Sequence, residues 1–97
     1  MEIRLSPIAM EDLKILKADN SKQRVLKDVL KALRLMEHNL RHPSLNTHEF
    51  MSLTKEYGIK IFEACVQQNT PGAYRIFWHY GPDKNQITVI GITPHPK

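Results

Sequence analysis

The chain reads as α+β: an N-terminal strand, then a helical hairpin packed on a small antiparallel sheet. Three observations predict this. The first half spaces its apolar residues by three and four, as a one-sided helix requires. The second half alternates apolar and polar side chains in short runs, the period of a strand. Those runs are parted by the turn clusters Thr70-Pro71-Gly72 and Gly81-Pro82-Asp83-Lys84-Asn85, and two short reversals in succession make an antiparallel meander.

Each element follows from local chemistry. Residues Glu2 to Leu5 form a short strand. Ser6-Pro7 supplies an N-cap followed by proline at the first helical position, and Ile8, Leu13 and Leu16 carry helical spacing to about Ala18. Asp19, Asn20 and Ser21 break that helix. The second helix is expected from Lys22 to Arg41, with Leu26, Val29, Leu30, Leu33, Met36 and Leu40 as its apolar stripe. His42-Pro43 is expected to stop it, because a residue before proline is pushed out of the helical region. From Pro43 to Gly58, Phe50, Leu53 and Tyr57 fit either a short helix capped by Gly58 or a loop. Lys60 to Val66, Ala73 to Tyr80 and Gln86 to Ile92 are the remaining strands. In the second of these, Tyr74, Ile76, Trp78 and Tyr80 share one face, and Arg75, Phe77 and His79 the other. The apolar face is expected to pack on Leu26, Leu30 and Leu33.

At 97 residues, 41% hydrophobic and 25% charged, the chain has the size and composition of one globular domain, residues 1–97. No apolar run approaches the roughly 18 residues of a membrane span. Acidic residues interrupt the N-terminal stretch where a secretion signal needs an apolar core. The lone Cys65 has no intramolecular disulfide partner, and a cytoplasmic location is the simplest expectation. A net charge of +4 and a pI near 9.4 favour a polyanion or an acidic protein as partner.

Three features carry possible chemistry. On the second helix, Arg24, Lys27, Lys31, Arg34, His38 and Arg41 are spaced 3, 4, 3, 4, 3, a ridge spanning about 100° opposite the apolar stripe. It faces either phosphates or an acidic partner, or it is a solvated helix surface. On the strand Ala73 to Tyr80, Arg75 and His79 stand four apart on the face opposite Trp78. An arginine there holds phosphoryl oxygens, and a histidine moves a proton near neutral pH; a solvent-facing His79 near a strand end is the plainer reading. At the C-terminus, Thr93-Pro94-His95-Pro96-Lys97 either presents His95 and Lys97 to a ligand or frays. Metal binding fits poorly: His38 and His42 are four apart, but Pro43 ends the helix there, and His48 joins them only through tertiary structure. Cys65 inside a strand reads as a small buried hydrophobe. No phosphate-binding loop, dinucleotide fingerprint or serine-hydrolase elbow is present.

Several short motifs, in order, resemble the RelE/ParE superfamily of bacterial toxins from toxin–antitoxin pairs. Ile3-Arg4-Leu5-Ser6-Pro7-Ile8-Ala9 looks like the family's first strand entering its first helix. Leu33-Arg34-Leu35 through Arg41-His42-Pro43 looks like the close of its second. Phe62-Glu63-Ala64 looks like its aromatic-glutamate-aliphatic strand, and Gly72-Ala73-Tyr74-Arg75-Ile76 like its glycine-x-tyrosine-arginine-aliphatic strand. Val89-Ile90-Gly91-Ile92 through His95 looks like its last strand. The resemblance implies one of two activities: cleavage of messenger RNA in the ribosomal decoding site, as in RelE-like members, or action on DNA gyrase, as in ParE-like members. Both are neutralised by a cognate antitoxin, here expected to be small and acidic, through which oligomers form. Arg75 matches an arginine that surrounds the scissile phosphate in the nucleases, and His95 lies near another basic position. Two departures stand out: Cys65 replaces a frequent arginine, and no tyrosine follows His95.

The implied reaction has a ribose 2′-hydroxyl attack the adjacent phosphorus, with no metal or other cofactor. Arg75 stabilises charge, and His79 and His95, the histidines of the strand-rich half, are the proton-transfer candidates. Arg24, Lys27, Lys31, Arg34, Arg41, Lys60 and Lys97 are the candidates for binding RNA or a partner. A basic binding module without catalysis is the remaining alternative.

Overall fold

The computed structural model describes residues 1–67 and 72–94. Strand β1 (Glu2–Leu5) leads into α1 (Pro7–Ala18), whose start follows the expected chemistry. Ser6 Oγ accepts the Ala9 N–H at 3.1 Å, and Pro7 sits where its missing N–H costs nothing. Asp19 ends the helix, and its carboxylate accepts from Ser21 N and Oγ, opening a 3₁₀ turn over Asn20–Lys22. Those bonds hold the Asp19 carboxyl below the ordinary range, the Ser21 side-chain bond contributing most.

Helix α2 spans Gln23–His38, so it ends before the expected limit at Arg41. The cause is Asn39, not Pro43. Its backbone is extended, and its side-chain oxygen accepts the Arg41 N–H at 3.0 Å. Such asparagine turns compete directly with helix continuation. A 3₁₀ turn at Pro43–Leu45 and the two-residue strand β2 (His48–Glu49) follow. Of the two readings of the next stretch, the helix is realised: α3 runs Met51–Tyr57 and closes on Gly58 at φ +76°, a left-handed cap that favours glycine.

The meander is present as β3 (Phe62–Cys65), β4 (Tyr74–Tyr80) and β5 (Gln86–Pro94). The sheet as a whole is mixed rather than antiparallel. Its five strands run β1-β5-β4-β3-β2, and β1 pairs parallel to β5, with Ile3 opposite Ile87 and Leu5 opposite Val89. The turn expected at Thr70-Pro71-Gly72 lies largely outside the described residues.

Helices α1 and α2 cover one sheet face. Ala9, Leu16, Val29, Ala32 and Met36 meet Ala64, Ile76, Trp78, Ile87, Val89 and Ile92 in one core. Tyr74, Leu26 and Leu33 pack around it as expected, but Leu30 is 41% exposed and stands outside it. The buried residues Val29, Ala32 and Met36 place the centre of the α2 stripe one position away from Leu30. Tyr80, at the strand end, is also exposed.

A bulge sets the geometry of β5. Phe77 pairs with Gly91 but Trp78 with Val89, so Ile90 is the extra residue. Past Val89, the last residue of β5 that pairs with β1, the α1 region supplies partners instead: Asp12 Oδ2 accepts the Ile92 N–H at 2.9 Å, and the Ser6 hydroxyl donates to Ile90 O. The opposite face carries Glu63, Cys65, Arg75, Phe77 and His79. Phe50, at the start of α3, packs its ring 5.3 Å from Phe77 across that face.

Candidate functional site

The second sheet face holds the one buried charged residue among those described, Glu63, at 1% exposure. Cross-strand pairing puts Glu63 opposite His48 on one side and Phe77 on the other, with Arg75 diagonally adjacent. Glu63 Oε1 lies 2.9 Å from His48 Nε2 and 3.8 Å from Arg75 Nε. Burying a carboxylate is costly unless opposite charge and donors meet it, and both are present.

Arg75 is held in place rather than free to swing. Its Nη1 donates to Gln67 O at 2.8 Å and to Tyr74 O at 3.1 Å, and its side chain is only 18% exposed. The site therefore presents a guanidinium fixed by its backbone partners, a preorganised geometry of the kind that suits an anion.

His48 faces an oxygen acceptor at each ring nitrogen. Nδ1 lies 2.9 Å from Asn46 O, so it carries a proton that it donates to that carbonyl, and Nε2 faces the Glu63 carboxyl. Nε2 and Oε1 are within hydrogen-bond reach of each other, and the His48 side chain is half exposed to solvent. Sequence reasoning assigned no proton chemistry to Glu63 or His48. The aromatic-glutamate-aliphatic triplet marked Glu63, but only the pairing of β2 with β3 brings His48 to it.

The other predicted residues are spread over the molecule. His79 shares the face of Arg75 but lies four residues along β4, about 13 Å away at strand spacing. The buried ring of Phe77 stands between them, and His79 Nδ1 contacts Tyr80 O at 2.8 Å. His95 and Lys97 lie outside the described residues. Lys60 is exposed just before β3. Arg24, Lys27, Lys31 and Arg34 are all exposed on α2, which covers the other sheet face, so the ridge and the Glu63–Arg75 site are on opposite sides. Arg24 and Lys31 border a hollow between α2 and the end of β3, shared with Asp28 and Gln67. Arg41, beyond the end of α2, lines a separate cleft. No group of three or more potential metal ligands occurs among the described residues, and no helix among them is long and apolar enough to cross a membrane.

A parallel N-terminal strand beside the last strand and a helical hairpin on one sheet face give the chain the fold of the YoeB/ParE-type toxins. In particular, the chain is similar to the YoeB/ParE toxin from Agrobacterium tumefaciens, with a TM-score of 0.73 at 9% identity, over 99% of this chain and 100% of that one. It is also similar to the YoeB dimer from Staphylococcus aureus, with a TM-score of 0.66 at 17% identity over 99% and 98% of the two chains. The heterotetrameric YoeB-YefM toxin-antitoxin complex from the same organism matches with a TM-score of 0.69, at 17% identity over 99% and 98%. No family model and no curated protein matches the sequence.

Proposed function

We propose that the protein is the toxin of a toxin–antitoxin pair and that it cleaves messenger RNA on the ribosome without a metal. The observation that carries this reading is the anchored Arg75 beside the Glu63–His48 pair, on the sheet face opposite the helical hairpin of a toxin fold. In this reaction the ribose 2′-oxygen gives up its proton and bonds to the neighbouring phosphorus. The phosphorus–5′-oxygen bond breaks, the departing oxygen takes a proton, and a 2′,3′-cyclic phosphate remains. Arg75 neutralises charge on the phosphoryl oxygens but exchanges no proton. The Glu63–His48 pair, next to it, receives or supplies the proton. His79 and His95, the sequence candidates for that role, are tested beside His48. The ribosome aligns the RNA, a contribution that so small a site does not make alone.

The partner that restrains the protein is a small acidic antitoxin, and the cytoplasm is where both act. A YoeB relative has been solved with its antitoxin YefM, which supports an antitoxin here. Lys60, Lys97 and the α2 ridge are proposed to bind RNA or this partner.

The test is inducible expression, with and without the neighbouring reading frame, followed by mapping of RNA 5′ ends. Growth arrest with new RNA ends is expected, and Arg75→Ala should reduce cleavage by roughly 10²- to 10³-fold. His48→Ala should reduce it by roughly 10²-fold or more, exceeding His79→Ala. Growth arrest that persists in Arg75→Ala, with no new RNA ends, would instead support a ParE-like, noncatalytic action on gyrase.

A further inference from the structure

A cleft of about 530 Å³ opens where the loop after α2 meets the β3–β4 end of the sheet, on the helix-covered side and away from Glu63. We propose that this cleft binds a nucleotide. The inference does not rest on the toxin reading.

Its wall is aromatic. Phe62 stacks on Trp78 at 4.9 Å, and Tyr80 packs edge-on against Trp78 at 5.0 Å and Phe62 at 5.6 Å. Tyr80 is 59% exposed, so ring surface remains for a base to stack on. Its rim is cationic and donating. Arg41 lines it, and so does His42, whose Nδ1 accepts the Ser44 N–H at 3.1 Å. That bond puts the neutral ring's proton on Nε2, making His42 a donor as well. No carboxylate lines the cleft among the described residues.

The observation that points to an occupant is Trp78. Its indole Nε1 is buried and has no hydrogen-bond partner among the described residues. Buried donors are almost always paired, and Trp78 lines this cleft. A ligand acceptor that reaches the indole N–H recovers the lost bond; exposed Tyr80 is the side chain that moves to admit it. A flat ring, an acceptor on that ring and an anion together satisfy the wall, the indole and Arg41, and a nucleotide has all three. A carboxylate side chain satisfies Arg41 but gives the aromatic wall nothing to stack. The volume falls in the usual range of small-ligand sites. A free nucleotide and one unit of a single strand share this chemistry.

The protein carries one tryptophan, so its indole N–H resonance reports on this cleft alone. Titration with AMP and with 2′-O-methyl tetra-adenylate, which resists cleavage by 2′-hydroxyl attack, is expected to shift that resonance saturably. Calorimetry should show binding weakened about tenfold in Arg41→Ala and in Trp78→Phe, the second keeping a ring in the core. Tetra-adenylate binding roughly tenfold tighter than AMP assigns the site to a strand, and equal affinity to a free nucleotide. Three outcomes would overturn the proposal: no saturable shift with either probe, unchanged affinity in both folded variants, or equally tight binding of N-acetylaspartate or inorganic phosphate.

Discussion

A carboxylate held inside a sheet needs cations or donors around it, and Glu63 has His48 at 2.9 Å and Arg75 at 3.8 Å. The three residues differ in burial, so their truncations should differ in cost. Glu63→Ala leaves Arg75 and His48 facing each other and should destabilise by about 3–5 kcal/mol. Arg75→Ala, with Glu63 still beside His48, should cost about 1–3 kcal/mol. This exceeds the cost of truncating an exposed strand residue, the value that the alternation alone suggests. His48→Ala should cost no more than about 1 kcal/mol, because that side chain is half solvated. Urea unfolding gives the ranking, and a His48 cost equal to that of Glu63 would contradict it. Arg75 was legible as a charge among apolar neighbours. His48 was not, because its place depends on a two-residue strand with no alternation to read.

At the scale of the element, the end of β5 is tied to α1. Asp12 lies on the helix, one turn from its start, yet its carboxylate caps a backbone N–H that the sheet leaves unpaired. Asp12→Ala removes that acceptor and should destabilise by about 1–3 kcal/mol, with faster amide exchange at Ile92 than in the rest of β5. Exchange accelerated evenly along the strand would mean that Asp12 does not act locally at Ile92. Such a bond spans 80 residues, and local periodicity has no access to it. The early end of α2 has a local cause instead. Asn39 carries the signal in its own side chain, and His42-Pro43 masked it only by being the more familiar stop.

At the scale of the whole molecule, two cationic features face opposite ways. The α2 ridge lies over one sheet face and the anchored Arg75 on the other, so an acidic partner can meet the first without occupying the second. Long-range attraction acts mainly on association rate. Reversing Lys27, Lys31 and Arg34 to glutamate changes the sign of the net charge, which is +4 at pH 7. If the ridge steers the antitoxin, the triple variant should associate roughly tenfold more slowly and lose most of the salt dependence, while staying folded. Stopped-flow binding measures both, and an unchanged rate and salt slope would make the ridge a solvated helix face.

Taken by itself, the sequence determined the α+β class, the order of β1, α1, α2 and the three meander strands, the cap at Ser6 and the division of β4 into two faces. These follow from interactions within a few residues: turn chemistry, capping and the periods of helix and strand. Only the tertiary structure decided the parallel pairing of β1 with β5, the Asp12 cap on Ile92, the anchoring of Arg75 and the meeting of His48 with Glu63. Each joins residues far apart in the chain, and their affinity for one another appears only when the core packing of Trp78, Ile76 and Val89 against α1 and α2 has set the strand register.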